Sequence, residues 1–188
     1  MVSSTGFFFF AHDILRQGAK LFGFQRVPFI SRVAEYGRTA NLLGYKSSLA
    51  AVLENIEDHE SFCNSLEKLF VTPVSLLNSF YEVALSNSNP ILHTGRLYSM
   101  FHGRENEIFG HNILFYKEWT DAASQLLIEM DAEFFQLLDK LGVHSLPTLL
   151  DYYESTDASS LTRKIQSILA FQTITSPMKQ VEDGWKID

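Results

Sequence analysis

Residues 27–44, VPFISRVAEYGRTANLLG, read as an amphipathic helix, and that reading sets the fold class. Pro28 suits a first helical position, where a missing N–H costs nothing and a φ fixed near the helical value is an advantage. Phe29, Ile30, Val33, Ala40 and Leu43 then recur at helical spacing, and Gly44 follows as a stop. A β-sheet protein should instead show period-two alternation joined by Asn-Gly or Asp-Gly turns. The one such dipeptide, Asp183-Gly184, lies near the C-terminus and joins no alternating runs.

Working outward, the same period recurs. Upstream, Phe7, Phe10, Ala11, Ile14, Gly18 and Leu21 form the stripe of a first helix that Gly23 ends. Downstream, Leu49 to Phe70 carries an apolar face, with Glu57 to Glu60 polar enough to allow a break. Thr72-Pro73 has the form of a helix start, and Ser86 to Pro90 that of a loop. Ile91–Phe101 is a short helix closed by His102-Gly103, and Ile108 to Leu141 a stripe interrupted near Thr120. Two last helices run from Ser145 to Glu154 and from Asp157 to Ile174. The expected architecture is all-α: a single-domain orthogonal or mixed helical bundle of about seven to nine helices over residues 1–175, then a polar tail, residues 176–188.

Composition agrees with a packed interior. The 188 residues are 46% hydrophobic and include 16 phenylalanines, enough for one sizeable core. A single cysteine, Cys63, rules out an internal disulfide framework and suits a reducing, cytoplasmic setting. The apolar run Phe7–Ala11 is far shorter than the ~20 residues a spanning helix needs, so no transmembrane segment is expected. A net charge of −7 argues against nucleic acid as a partner. Yet residues 1–50 are basic, with Arg16, Lys20, Arg26, Arg32, Arg38 and Lys46 against Asp13 and Glu35. These cations either pack beside acidic helices or form a docking face for an acidic partner or an anionic lipid surface.

No motif for covalent catalysis is present, and neither glycine-rich phosphate loop occurs. Glu107, His111 and Glu118 share a helical face, but the chain lacks any Glu-x-x-His, so no metal site, cofactor or catalytic residue is assigned. Two short runs, Glu107–Gly110 and Leu149–Tyr153, are similar to stretches of Dbl-homology domains; the Pro-Val-Gln-Arg-like run of those domains is missing, so no family is assigned. The first helix carries Phe8, Leu15 and Phe22 on a second apolar face beside Arg16 and Lys20, which makes these five the candidate partner-binding residues and admits peripheral membrane contact. The expected function is a protein–protein interaction or regulatory module without catalytic activity. The alternative is a small-molecule-binding bundle or an enzyme with an apolar pocket between helices, where His93, His102 and His111 are the candidate ligand-pocket residues.

Overall fold

The structure is a computed structural model and describes residues 20–188. It overturns the all-α expectation: among the described residues, strands in three separate sheets stand beside the helices. Contacts divide the described residues into two compact units, residues 20–87 and 88–188.

In chain order the first unit holds β1 (Leu21–Phe24), β2 (Phe29–Glu35), β3 (Thr39–Tyr45), β4 (Leu49–Glu54), α1 (His59–Phe70), β5 (Val74–Leu76) and α2 (Phe80–Leu85). The run that forms β4, LAAVLE, is apolar at its first five residues in succession, as a strand covered on both faces should be. It pairs antiparallel with β1, Phe24 opposite Ala51, and parallel with β5, Leu49 opposite Val74. A parallel neighbour requires a crossover, which α1 supplies. One face of the sheet puts Phe24, Leu49 and Ala51 against Phe62, Leu66 and Phe70 of α1. The other puts Leu21 and Val52 against Phe80 and Val83 of α2.

The helix expected from Leu49 is therefore a strand, a polar turn and then one helix. Asp58 starts α1 by accepting the Ser61 N–H at 2.9 Å, and Val71 ends it in the left-handed conformation with φ 52°. Thr72-Pro73 begins no helix. The Thr72 hydroxyl donates to the carbonyls of Phe70 and Lys46, and the Pro73 carbonyl accepts from Leu49 N at 2.8 Å. Leu21, expected at the end of a first helix, opens β1.

Residues 27–44 differ most from expectation. β2 and β3 form a two-stranded antiparallel ribbon, with Phe29 opposite Tyr45 and Glu35 opposite Thr39. Gly37 at its tip takes φ 73°, a conformation glycine adopts without the penalty of a Cβ. Burial does not enforce alternation here: Val33, Leu42, Leu43 and Tyr45 are exposed, and Tyr36 is 95% exposed. Two irregularities in the pairing, at Ile30/Ser31 and Val33/Glu35, further disturb the period of two.

The second unit holds α3 (Asn89–Phe101), α4 (Asp121–Lys140), α5 (Leu149–Tyr152), α6 (Ala158–Gln166), a 3-10 turn (Leu169–Phe171), β6 (Met178–Val181) and β7 (Gly184–Ile187). α4 packs on α3 and on α6. Gly95 permits the first approach, since a Cβ there would press on Met130 and Leu127 of α4. The core joins Leu92, Met100 and Phe101 of α3, Ala123 and Leu127 of α4, and Leu161 and Ile165 of α6. To these the non-helical segment 102–120 adds Phe109, Phe115, Tyr116 and Trp119. The interruption at Thr120 is a helix start, because the Thr120 hydroxyl accepts the Ala123 N–H at 3.2 Å. Residues 178–187, read as a polar tail, form a hairpin that turns at Glu182-Asp183. Two backbone bonds between Phe109 and Trp185, 2.7 and 2.8 Å, tie that hairpin to segment 102–120. Among the described residues no helix is long and apolar enough to cross a membrane.

Candidate functional site

Segment 102–120 has little regular structure of its own, so its shape is set by side chains that reach it from neighbouring elements. Arg96 is the chief of these. It falls on the face of α3 that also buries Leu92, Gly95 and Met100, and it is only 2% exposed. Its Nε donates to the Phe115 carbonyl at 3.0 Å and its NH2 nitrogen to the Glu118 carbonyl at 2.8 Å. The guanidinium also lies over the Trp119 ring, 5.2 Å from its centre. Burial lowers the Arg96 pKa to about 10, with the Glu118 carboxylate opposing the shift. At neutral pH it is still a cation.

From α6, Gln166 Nε2 donates to the Trp119 carbonyl at 2.8 Å. The Trp119 indole N–H donates to Ser124 Oγ at 3.0 Å, and Ser124 Oγ in turn bonds Thr162 Oγ1 at 2.8 Å. Glu118 folds back on the segment itself, accepting from Leu114 N at 2.6 Å and bonding His111 Nε2 at 2.9 Å. Burial would raise the Glu118 pKa, but the Leu114 amide, His111 and the Arg96 charge together hold it below the ordinary carboxylate range.

This clamp presents Tyr116 to His93. One turn into α3, His93 Nε2 lies 2.9 Å from the Tyr116 hydroxyl, and its ring meets the edge of Phe115 at 5.7 Å. Tyr116 is itself stacked on Phe171 at 4.7 Å and lies parallel to Trp119 at 6.3 Å. Desolvation against this aromatic wall pushes the His93 pKa down, so the neutral ring is favoured. A neutral imidazole with one nitrogen fixed by a hydroxyl can take up or deliver a proton through the other. Among the described residues, no three His, Cys, Asp or Glu side chains are grouped so as to hold a metal ion.

The candidate histidines take three different partners. His93 bonds Tyr116, His102 stacks on Tyr98 at 4.3 Å, and His111 bonds Glu118. Of the candidate partner-binding residues, Phe8, Leu15 and Arg16 lie outside the described residues. Lys20 is exposed and borders an open depression of about 510 Å³ that Asn55, Asp58 and Ser61 help to line. Phe22 sits on β1, 40% exposed, with its ring 5.3 Å from Phe62. Sequence reasoning missed Arg96 and Tyr116. The available signal for Arg96 was a single cation among the apolar positions of a short helix; Tyr116 had none, because it meets His93 only through tertiary structure.

Residues 76–183 match the family described as NAD/NADP octopine/nopaline dehydrogenase, alpha-helical domain. The opine dehydrogenase of Haliotis discus hannai is 22% identical over 204 residues, spanning 98% of this chain and 50% of that protein. The octopine dehydrogenase of Mizuhopecten yessoensis is 28% identical over 200 residues, spanning 97% of this chain and 50% of that protein. The fold is similar to solved octopine dehydrogenase structures. One with NADH and L-arginine has a TM-score of 0.79 at 23% identity, covering 99% of this chain and 51% of that one. One with NADH and pyruvate has a TM-score of 0.81 at 21% identity, covering 100% and 50%. The chain thus spans about half the length of the curated relatives it matches. These likenesses overturn the expectation of a non-catalytic interaction or regulatory module and favour its alternative, an enzyme.

Proposed function

This chain belongs to the NAD/NADP octopine/nopaline dehydrogenase family, and from that premise we propose that it serves an opine-type oxidoreduction, its second unit handling substrate and proton. The observation that carries the proposal is the His93–Tyr116 pair, which lies inside the matched span. Reduction of a C=O or C=N group by hydride consumes a proton with each hydride, and the reverse reaction releases one. A half-exposed, neutral-favoured imidazole beside a hydroxyl is suited to that exchange. The relatives whose solved complexes hold L-arginine and pyruvate suggest a small amino acid and a small keto acid as the substrate classes. A cytoplasmic location is part of the same proposal.

The dinucleotide finds no fitting cradle at the β4–α1 turn. A pyrophosphate at the start of a helix after a strand wants glycine and free N–H groups. Here the turn is Asn55-Ile56-Glu57-Asp58, and the Asp58 carboxylate already caps α1. Two carboxylates at that helix start would repel a phosphate, so this turn is assigned no part in nucleotide binding.

The test is a titration of the protein, ¹⁵N-labelled at histidine, with pyruvate and with L-arginine. Either ligand should shift the His93 ring signals in a saturable way, and His93→Gln should abolish the binding response. His93 signals that move with neither ligand would overturn the proposal.

A further inference from the structure

The family reading gives the β2–β3 ribbon no role, and the ribbon has two unlike faces. Residues directly opposite in the ladder share a face, so Phe29–Tyr45, Ser31–Leu42 and Val33–Ala40 stand on one side. Five of these six are apolar or aromatic and none is charged. Yet Val33 is 67% exposed, Leu42 55% and Tyr45 51%, and no apolar core among the described residues includes any of the six. The other side carries Ile30–Gly44 and Arg32–Asn41, and Lys46 follows there, its N–H on the Pro28 carbonyl at 2.8 Å. An antiparallel ribbon with one apolar and one polar face ordinarily packs the apolar one against another surface.

The ribbon itself says what that surface is. Its edges are blunted, because Leu43 on β3 and Ala34 on β2 are extra residues in the pairing, and bulges of this kind twist an edge away from a further strand. Contact is therefore by face. The cations Arg32 and Lys46 belong to the reverse face, and Glu35 is engaged at the tip by Arg38 at 3.0 Å, so the apolar side suits a neutral surface rather than an acidic one. The apolar side is also self-complementary. A two-fold axis in the contact plane, running across the strands at the Ser31–Leu42 pair, lays Phe29 on Val33 of a second copy and Tyr45 on Ala40 of that copy. Large side chains then meet small ones, as close packing requires. Ser31 and Leu42 meet their own counterparts, which brings no like charges together. The same rotation carries the exposed Tyr36 of the tip toward the exposed Val27 at the base of the other ribbon.

We propose that the apolar face of the ribbon is a docking surface for a second copy of this chain, the two ribbons packed face to face and antiparallel. The surface covered is roughly 500 Å² per copy, about 1,000 Å² in all, which is the lower limit for a specific interface. The dimer is accordingly weak, with a Kd in the range of about 10 μM to 1 mM. This interface concerns the first unit alone and does not depend on the role given to His93.

Sedimentation equilibrium of the full chain from about 5 μM to about 1 mM reads the association. The parent should pass from monomer toward dimer over that range. Leu42→Glu and Leu42→Lys each set like charges against one another at the axis, so each should weaken association by about tenfold or more. Mixed in equal amounts at low salt, the two variants should associate at least as well as the parent, because opposite charges then face each other. Arg32→Glu, on the reverse face, should change the Kd by less than about twofold. Leu42 and Arg32 are both exposed, so at the lowest concentration the thermal midpoint of every variant should match the parent's. A parent that stays monomeric up to about 1 mM, or a mixture that associates no better than either variant alone, would overturn the proposal. So would a parent that co-sediments with phosphatidylserine vesicles and loses this with Leu42→Glu, since the face would then belong to a lipid surface.

Discussion

Arg96→Met is the perturbation that tests most directly how the site is held. Methionine preserves the length and much of the volume of the side chain but removes both donors. The Phe115 and Glu118 carbonyls, now bonded at 3.0 and 2.8 Å, would be left inside a core with no replacement. Each bond from a charged donor contributes roughly 1.5–3 kcal/mol, and each stranded buried acceptor costs about 1–3 kcal/mol. Removing the charge recovers some of what its burial cost, so these figures do not simply add. A net loss of about 3–5 kcal/mol is expected, a large part of the roughly 5–15 kcal/mol typical of a domain. Arg96→Lys should fall between, because a single ammonium is not the planar fork that spans both carbonyls. Urea unfolding followed by tryptophan fluorescence reads the effect, since Trp119 lies under the guanidinium. A loss below about 1 kcal/mol in Arg96→Met would refute the clamp. So would His93 ring signals unchanged by the substitution, because the clamp is what presents Tyr116 to that ring.

Other sites allow equally direct checks. Gly184 has φ 148°, and a Cβ there would collide with the Phe109 carbonyl oxygen and with Ile108 Cγ2. Gly184→Ala should therefore cost roughly 2–4 kcal/mol in thermal or urea unfolding, and a neutral result would mean the hairpin is not seated on Phe109 as described. Asp131 is buried on α4, its carboxylate accepts the Leu149 N–H at 2.8 Å, and burial, then Asp151, raise its pKa against the pull of that bond. Asp131→Asn keeps an acceptor and should leave stability at neutral pH unchanged or higher, whereas Asp131→Ala strands the Leu149 amide and should cost about 1–3 kcal/mol; equal losses would contradict this. His93 has a folded pKa below its ordinary value of 6.5. As pH falls through 6.5 the unfolded chain takes the proton first, so stability declines until the folded pKa is passed and then levels. Between about pH 8 and pH 5 the parent should lose more stability than His93→Gln, and equal losses would exclude a desolvated His93.

How far the sequence could be read follows from what each segment's neighbours do to it. α3, with an expected span of Ile91–Phe101 and an observed one of Asn89–Phe101, is amphipathic, opens with Pro90 and closes before Gly103, so local signals suffice. The start of α6 at Asp157 was readable for the same reason, since Asp157 caps Ser160 N at 2.7 Å. Residues 27–44 defeat the method because the ribbon is exposed. Nothing buries alternate residues, the irregular pairing disturbs what alternation remains, and Phe29, Ile30 and Val33 then satisfy a helical spacing by chance. β4 misleads differently: five apolar residues in succession, Leu49–Leu53, fit a buried strand or a buried helix, and its continuation into α1 favoured the helix. At the site, His93 was one histidine of three, and nothing local could mark it out. Its partner Tyr116 and the clamp on Phe115 and Glu118 belong to a segment whose apolar spacing also suggested a helix.

That misread segment explains why so much buried polarity gathers in the second unit. A helix satisfies its backbone internally, but residues 102–120 mostly do not, and backbone groups that leave water must find partners elsewhere. Arg96 and Gln166 supply side-chain donors to the carbonyls of Phe115, Glu118 and Trp119. The backbone of Trp185 meets Phe109, that of Ile174 accepts from Phe115, and Ser176 donates to Ile113 through both N–H and hydroxyl. Partners therefore come from α3, from α6, from the stretch after it and from the terminal hairpin, and all converge on the one segment that carries Tyr116. An interior built only for packing would place a third helix there, with ordinary apolar contacts and no buried guanidinium. Holding an irregular segment in one shape costs a network of this kind, and the return is a tyrosine hydroxyl fixed 2.9 Å from His93.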